Sequence, residues 1–191
     1  MNVSDEHALK QKVIFETKQW IEKIIIAHNF CPFAKKPFTQ ETIHYAVSKA
    51  TDSEAVVDDL VDELLNLHNT PSTEIETSIL IIPNALNDFE EYNQFLDVVD
   101  SALEELDLID IIQVASFHPD YYFADLDPDD VRNYTNRSIY PMFHLIREDS
   151  VEHARATYRD VEDIPEKNME LLVEMGLDVI RRQRELCRKN Q

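Results

Sequence analysis

Glycine is almost missing from this chain: Gly176 is the only one in 191 residues. A Walker phosphate loop, a dinucleotide-binding Gly-x-Gly-x-x-Gly turn and a Gly-x-Ser-x-Gly nucleophile elbow each need at least two, so none can be present. ATPase, Rossmann dehydrogenase and α/β-hydrolase readings fall together. Cysteine is scarce as well. Cys31 and Cys187 lie at opposite ends of the chain, make neither a disulfide framework nor a Cys-x-x-Cys pair, and are expected to be reduced thiols. Long apolar runs are absent too. The longest, Ile24–Ala27 and Ile79–Ile82, fall far short of a bilayer span, and Met1–Lys12 is polar and charged, unlike a secretory leader. The expected location is therefore cytoplasmic.

Positive charge is missing from one long stretch. Ala50–Val131 contains no lysine or arginine against 22 acids, whereas the rest of the chain carries 18 cations against 16 acids. This anionic field repels phosphate backbones and anionic lipid at long range, so neither a nucleic acid nor a membrane is the expected partner. A solvated acidic surface explains it most simply.

What is present reads as one α/β (or α+β) domain over residues 1–191, with 43% apolar residues to fill a core. Val13, Thr17, Trp20, Ile21, Ile24 and Ile25 repeat at helical spacing and predict an N-terminal helix over 4–29, with Ser4 at its start. A strand over 42–48 follows. "TDSE" at 51–54 has the capping-box pattern, and Val57, Leu60, Val61 and Leu64 continue as a helix until Pro71. Residues 77–83 predict a buried strand. "NDFE" at 87–90 opens a helix with the stripe Tyr92, Phe95, Leu96, Val99, Leu103. Strands over 111–115 and 142–148 close a sheet core of 42–148, and one long helix over 165–189 ends the chain. Its terminal basic residues suit the negative end of the helix dipole. Gly176, inside that last pattern, is expected to admit a close backbone approach. The order α-β-α-β-α-β-β-α predicts a single four-stranded mixed sheet flanked by amphipathic helices.

Ser116–Asp149 follows neither period at its centre and gathers two histidines, a knot of aspartates and three arginines. It begins at the carboxyl end of a strand, where open α/β sheets bind ligands. "NFCPFAKK" at 29–36, "VASFHPDYYFA" at 114–124 and "NYTNRSIYPMFHLIRE" at 133–148, with their spacing, resemble an uncharacterised bacterial family, domain of unknown function 1415. The resemblance spans nearly the whole chain. It implies a cytosolic single-domain protein and carries no catalytic residue across.

The residues themselves supply candidates. Cys31, followed by Pro32 and near Lys35 and Lys36, reads either as a helix N-cap thiolate fit for nucleophilic or redox work, or as a small buried apolar residue. "CPFAKK" resembles the glutaredoxin turn locally, but Ala34 stands where the second cysteine would be. His118 and Asp120 form an imidazole with a carboxylate two residues on, suited to acid/base work or to ligand positioning. "DLDPDD" at 125–130 fails as an EF-hand, because Asp130 replaces the required glycine, and reads better as a short helix with Asp127 at its N-cap. Arg137, with Asn136 and Tyr134 in the same loop, is a natural clamp for a carboxylate or phosphate. His144 and Arg147 fall on opposite faces of their strand, and His144 reads as a core histidine.

The sequence thus supports two functional readings. One is an enzyme acting on a small anionic substrate through a pocket of Cys31, His118 and Arg137. The other is a non-enzymatic ligand- or partner-binding protein whose 116–141 loop is a structural lid. No metal is assigned, and cofactor and oligomeric state are left open.

Overall fold

The computed structural model describes residues 3–157 and 161–188. The side chain of Ser4 and the end of the last helix at Lys189 lie outside the described part. Helix α1, Val3–Trp20, runs on into a π-helical turn, Ile21–Ile26. Its stripe of Val13, Trp20, Ile21, Ile24 and Ile25 is buried, as the spacing predicts. The remaining elements are α2 (Lys35–Thr39), β1 (Ile43–Val47), α3 (Ser53–Asn69), β2 (Thr77–Ile81), α4 (Phe89–Glu105), β3 (Ile112–Phe117), β4 (Met142–Arg147), α5 (Glu148–Thr157), α6 (Ile164–Met175) and α7 (Leu177–Cys187).

The four strands form one mixed sheet in the order β1-β2-β4-β3. β1 and β2 are parallel, and β4 runs antiparallel between β2 and β3. β2 is buried along its whole length, as a strand paired on both edges and covered on both faces must be. The two faces build two cores. Leu60, Leu64 and Leu67 of α3 and Tyr92, Phe95 and Val99 of α4 pack with Leu80, Phe143 and Leu145. Trp20 and Ile24, with Leu172 of α6 and Ile180 and Cys187 of α7, pack with Ile79, Ile81 and Met142 on the opposite face. Each fully buried Leu or Ile contributes about 1.5–3 kcal/mol to this arrangement.

Several local expectations need correction. The chain after residue 164 is two helices instead of one, because Gly176 (φ 82°, ψ 153°) interrupts it. A Cβ placed there would meet nothing within 4 Å, so the glycine is required by its backbone conformation and not by a close approach. The cap of α3 is Asp52, whose side chain accepts from Ala55 N at 2.9 Å, one residue beyond the Thr51 that the capping-box pattern implies. After "DLDPDD", Asp127 accepts from Asp129 N in a turn, and the helix that follows is a 3-10 helix, Val131–Thr135, capped by Asp130. α2 and α5 have no apolar stripe, and none of their residues is fully buried, so periodicity had no signal to find.

Candidate functional site

The connection from β3 to β4 is held by its own polar side chains. His118 N donates to Asn136 O at 3.2 Å, and Asn136 Nδ2 donates to Ser116 O at 3.2 Å, which closes the neck of the loop at the end of β3. Asn133, fully buried, accepts from Phe123 N (3.1 Å) and donates to Asp127 O (2.9 Å). Arg137 is only 9% exposed; its Nε donates to Tyr121 O (2.8 Å) and its Nη2 to Pro128 O (2.6 Å). These bonds satisfy backbone groups that a long loop would otherwise bury unpaired.

His118 anchors the loop to the opposite wall. Its ring is fully buried; Nδ1 accepts from Asp120 N at 3.0 Å, so Nε2 carries the proton and donates to Leu86 O at 3.1 Å. Phe89 and Tyr92 flank the ring at centroid distances of 5.4 and 5.0 Å. Burial holds its pKa below the ordinary imidazole range, against opposing pulls from the Leu86 carbonyl and Asp120. Leu86 has a left-handed backbone (φ 52°), so this bond holds a turn that a leucine adopts reluctantly.

Beyond the loop lies a cleft of about 580 Å³ at the carboxyl end of β3. The start of α4 lines it with Asp88, Phe89 and Glu90, α7 with Arg181 and Arg184, and the loop with Asp120, Tyr134 and Arg137. The guanidinium carbons of Arg137 and Arg184 stand 4.9 and 5.5 Å from the Tyr134 ring centroid. Arg184 Nη1 donates to Pro119 O at 2.8 Å, and Arg181 Nε donates to the Tyr134 hydroxyl at 3.2 Å. Burial lowers the pKa of Arg184, and the neighbouring Arg188 and Arg137 add to the effect while Tyr134 and Asp120 oppose it. Among the described residues no carboxylate lies within 4.0 Å of Arg137 or Arg184; Arg181 has Asp129 at 3.6 Å.

The structure brings Asp120, Tyr134 and Arg137 together at this cleft, with Asn136 and His118 supporting the loop behind them. It does not bring Cys31 to them. Cys31 packs in the core on the α1, α6 and α7 face, whereas the His118 ring packs on α4 at the other face. Helix α2 begins at Lys35 with Ala34 at its N-cap, so Cys31 precedes a turn and not the helix itself. Burial raises the Cys31 pKa, although the N–H groups of Phe33 and Ala34 pull the other way. His144 is a core histidine: Thr77 donates to Leu145 O, and His144 Nε2 donates to the Thr77 hydroxyl at 2.8 Å. Burial pushes the His144 pKa down to about 4.

Arg181 and Arg184 are the residues that the sequence reading missed. Arg181, Arg184 and Arg188 repeat at i, i+3 and i+7, which puts a cationic stripe on one face of α7. That spacing was readable, but a basic last turn also has the dipole as an explanation.

Among the described residues no three His, Cys, Asp or Glu side chains cluster closely enough to hold a metal ion. No described helix is long and apolar enough to cross a membrane. No curated protein and no solved structure matches this chain. A family match covers residues 12–182, nearly the whole fold and every residue lining the cleft except Arg184, and by it the chain belongs to the family described as "Protein of unknown function (DUF1415)".

Proposed function

We propose that the protein binds a small anionic ligand in the cleft between α4 and α7, with Arg137 and Arg184 as its anchors. The observation that carries this reading is a pair of guanidinium groups over the Tyr134 ring that, among the described residues, have no carboxylate within 4.0 Å. Withdrawing a charge from water is costly unless it is paired, and a buried cation bonded only to backbone carbonyls retains an unmatched field. An anion entering the cleft supplies the match, and a guanidinium presents it with paired donors. The cleft also has the volume of a small-molecule site, and its mainly polar and charged lining suits a charged ligand.

The support is for binding more than for catalysis. Both nitrogens of His118 are engaged inside the fold, and Cys31 faces the other core, so neither offers a group to a reacting ligand in this cleft. The lid reading draws on a different observation, the way the loop's Asn133, Asn136 and Arg137 already satisfy its backbone.

Calorimetric titration with inorganic phosphate, ethyl phosphate and propionate at low salt separates the two. Binding tighter than about 1 mM, or roughly 4 kcal/mol, that weakens at least tenfold in Arg184→Met supports the proposal. No binding in that range by any of the three, nor by O-phosphoethanolamine or β-alanine, overturns it and leaves the structural lid. Arg184 is the better residue to change, because Arg137 also holds the loop closed.

A further inference from the structure

The walls of the cleft differ in charge, and this restricts the ligand further. Arg181 is matched by Asp129 at 3.6 Å, whereas among the described residues Arg137 and Arg184 have no carboxylate within 4.0 Å. Asp88, the N-cap of α4, and Glu90, in its first turn, line the same cleft, as does Asp120. Asp88 caps its helix by accepting from Glu91 N at 3.0 Å, and Glu90 accepts from the Tyr122 hydroxyl. Among the described residues no lysine or arginine lies within 4.0 Å of Asp88, Glu90 or Asp120.

A simple anion held by the arginines would therefore share the cleft with three carboxylates. A ligand with a positive group at its other end turns that repulsion into attraction. Phe89 and Tyr122, whose ring centroids are 4.8 Å apart, lie beside those carboxylates and add π faces that favour a cation. The volume of about 580 Å³ exceeds what a lone phosphate or carboxylate needs.

Resting on the anion-binding reading, we infer that the natural ligand is a zwitterion: an anionic group on Arg137 and Arg184, and a protonated amine facing Asp88 and Glu90 beside Phe89 and Tyr122. Electrostatic complementarity of this kind selects among ligands even where each exposed charge contributes little to affinity.

Two probe pairs that differ only in the amine test it: O-phosphoethanolamine against ethyl phosphate, and β-alanine against propionate, each titrated calorimetrically into the wild-type protein and Glu90→Gln. The amine-bearing member of at least one pair is expected to bind about tenfold tighter, and the ratio is expected to shrink in Glu90→Gln. Equal or weaker binding of the amine-bearing member in both pairs, while either plain anion still binds, overturns the zwitterion and leaves anion binding standing. A tenfold preference that Glu90→Gln does not reduce also overturns the placement of the amine at the α4 wall. If none of the four binds, both readings fail together.

Discussion

Replacing His118 by alanine should destabilise the protein by about 3 kcal/mol or more. The sequence reads His118 as an acid/base candidate, whereas the structure engages both of its ring nitrogens inside the fold. The ring is fully buried and packs against Phe89 and Tyr92. Truncating a buried aromatic-sized side chain costs about 3–5 kcal/mol from lost contacts and the cavity left behind. Two hydrogen bonds go as well. Leu86 O is left buried and unpaired, at about 1–3 kcal/mol, and Asp120 N, on an exposed residue, loses an ordinary hydrogen bond of about 0.5–1.5 kcal/mol. Relaxation of the α4 entry loop returns part of this, because Leu86 at φ 52° is released from a conformation costing about 1–2 kcal/mol.

Urea unfolding followed by circular dichroism measures the difference, and a loss of 3 kcal/mol would lower Tm by roughly 6–12 °C in a chain of this size. His118→Gln, which keeps a donor and an acceptor, should recover part of it. The pH dependence has a definite sign. Folding depresses the His118 pKa, so its contribution is complete above the unfolded value of 6.5 and declines as pH falls below it towards the folded pKa. A loss below about 1 kcal/mol in His118→Ala would refute the reasoning. The ring would then not be what fastens the loop to α4.

His44→Ala should remove the partner of Glu63, whose carboxylate accepts from His44 Nδ1 at 2.7 Å and from Ser78 and Asn66. Glu63 raises the His44 pKa, so the pair contributes fully below 6.5 and loses its effect as pH rises through the folded value. Glu63 is pushed up by burial, but its hydrogen bonds pull it net below 4.5, so its share is present above 4.5 and lost as pH falls through its folded value. The wild type should exceed the variant by about 1 kcal/mol, a figure kept small because His44 is 41% exposed, with the largest gap between pH 4.5 and 6.5. A gap that does not vary with pH would count against the pair. Trp20→Phe should cost less than about 1 kcal/mol in the same unfolding assay, because it deletes a buried N–H that has no partner among the described residues; a loss of 3 kcal/mol or more would show that the indole N–H is bonded. Labelled DNA and RNA should not bind at roughly 0.15 M salt, since Ala50–Val131 has no cation with which to displace counterions, and sub-micromolar binding would refute this.

The elements that periodicity located are those with a face to bury. α3 and α4 were visible because their apolar stripes cover the sheet, and β2 because its neighbours and both helix layers leave it no polar face. The order of strands in the sheet was less visible. β4 lies between β2 and β3 because the chain returns beside β3 after the long loop, and nothing in "MFHLIRE" distinguishes that position from an edge. The cleft was half legible for a related reason. Arg137, Asp120 and Tyr134 sit in one irregular segment, where polar side chains without a period invite a functional reading. Arg184 sits in a regular helix whose basic residues already have a dipole to explain them, and Asp88 already caps α4. Such residues do two things at once, and sequence shows only the local one. His118 erred in the other direction. Its place at a strand end suggested chemistry, but the distant carbonyl of Leu86 gives its proton a structural use, and that partner is 32 residues away in a turn with no sequence mark. What decides between a catalytic and a structural histidine is the occupancy of its second nitrogen, which is a property of the packed loop and not of the chain.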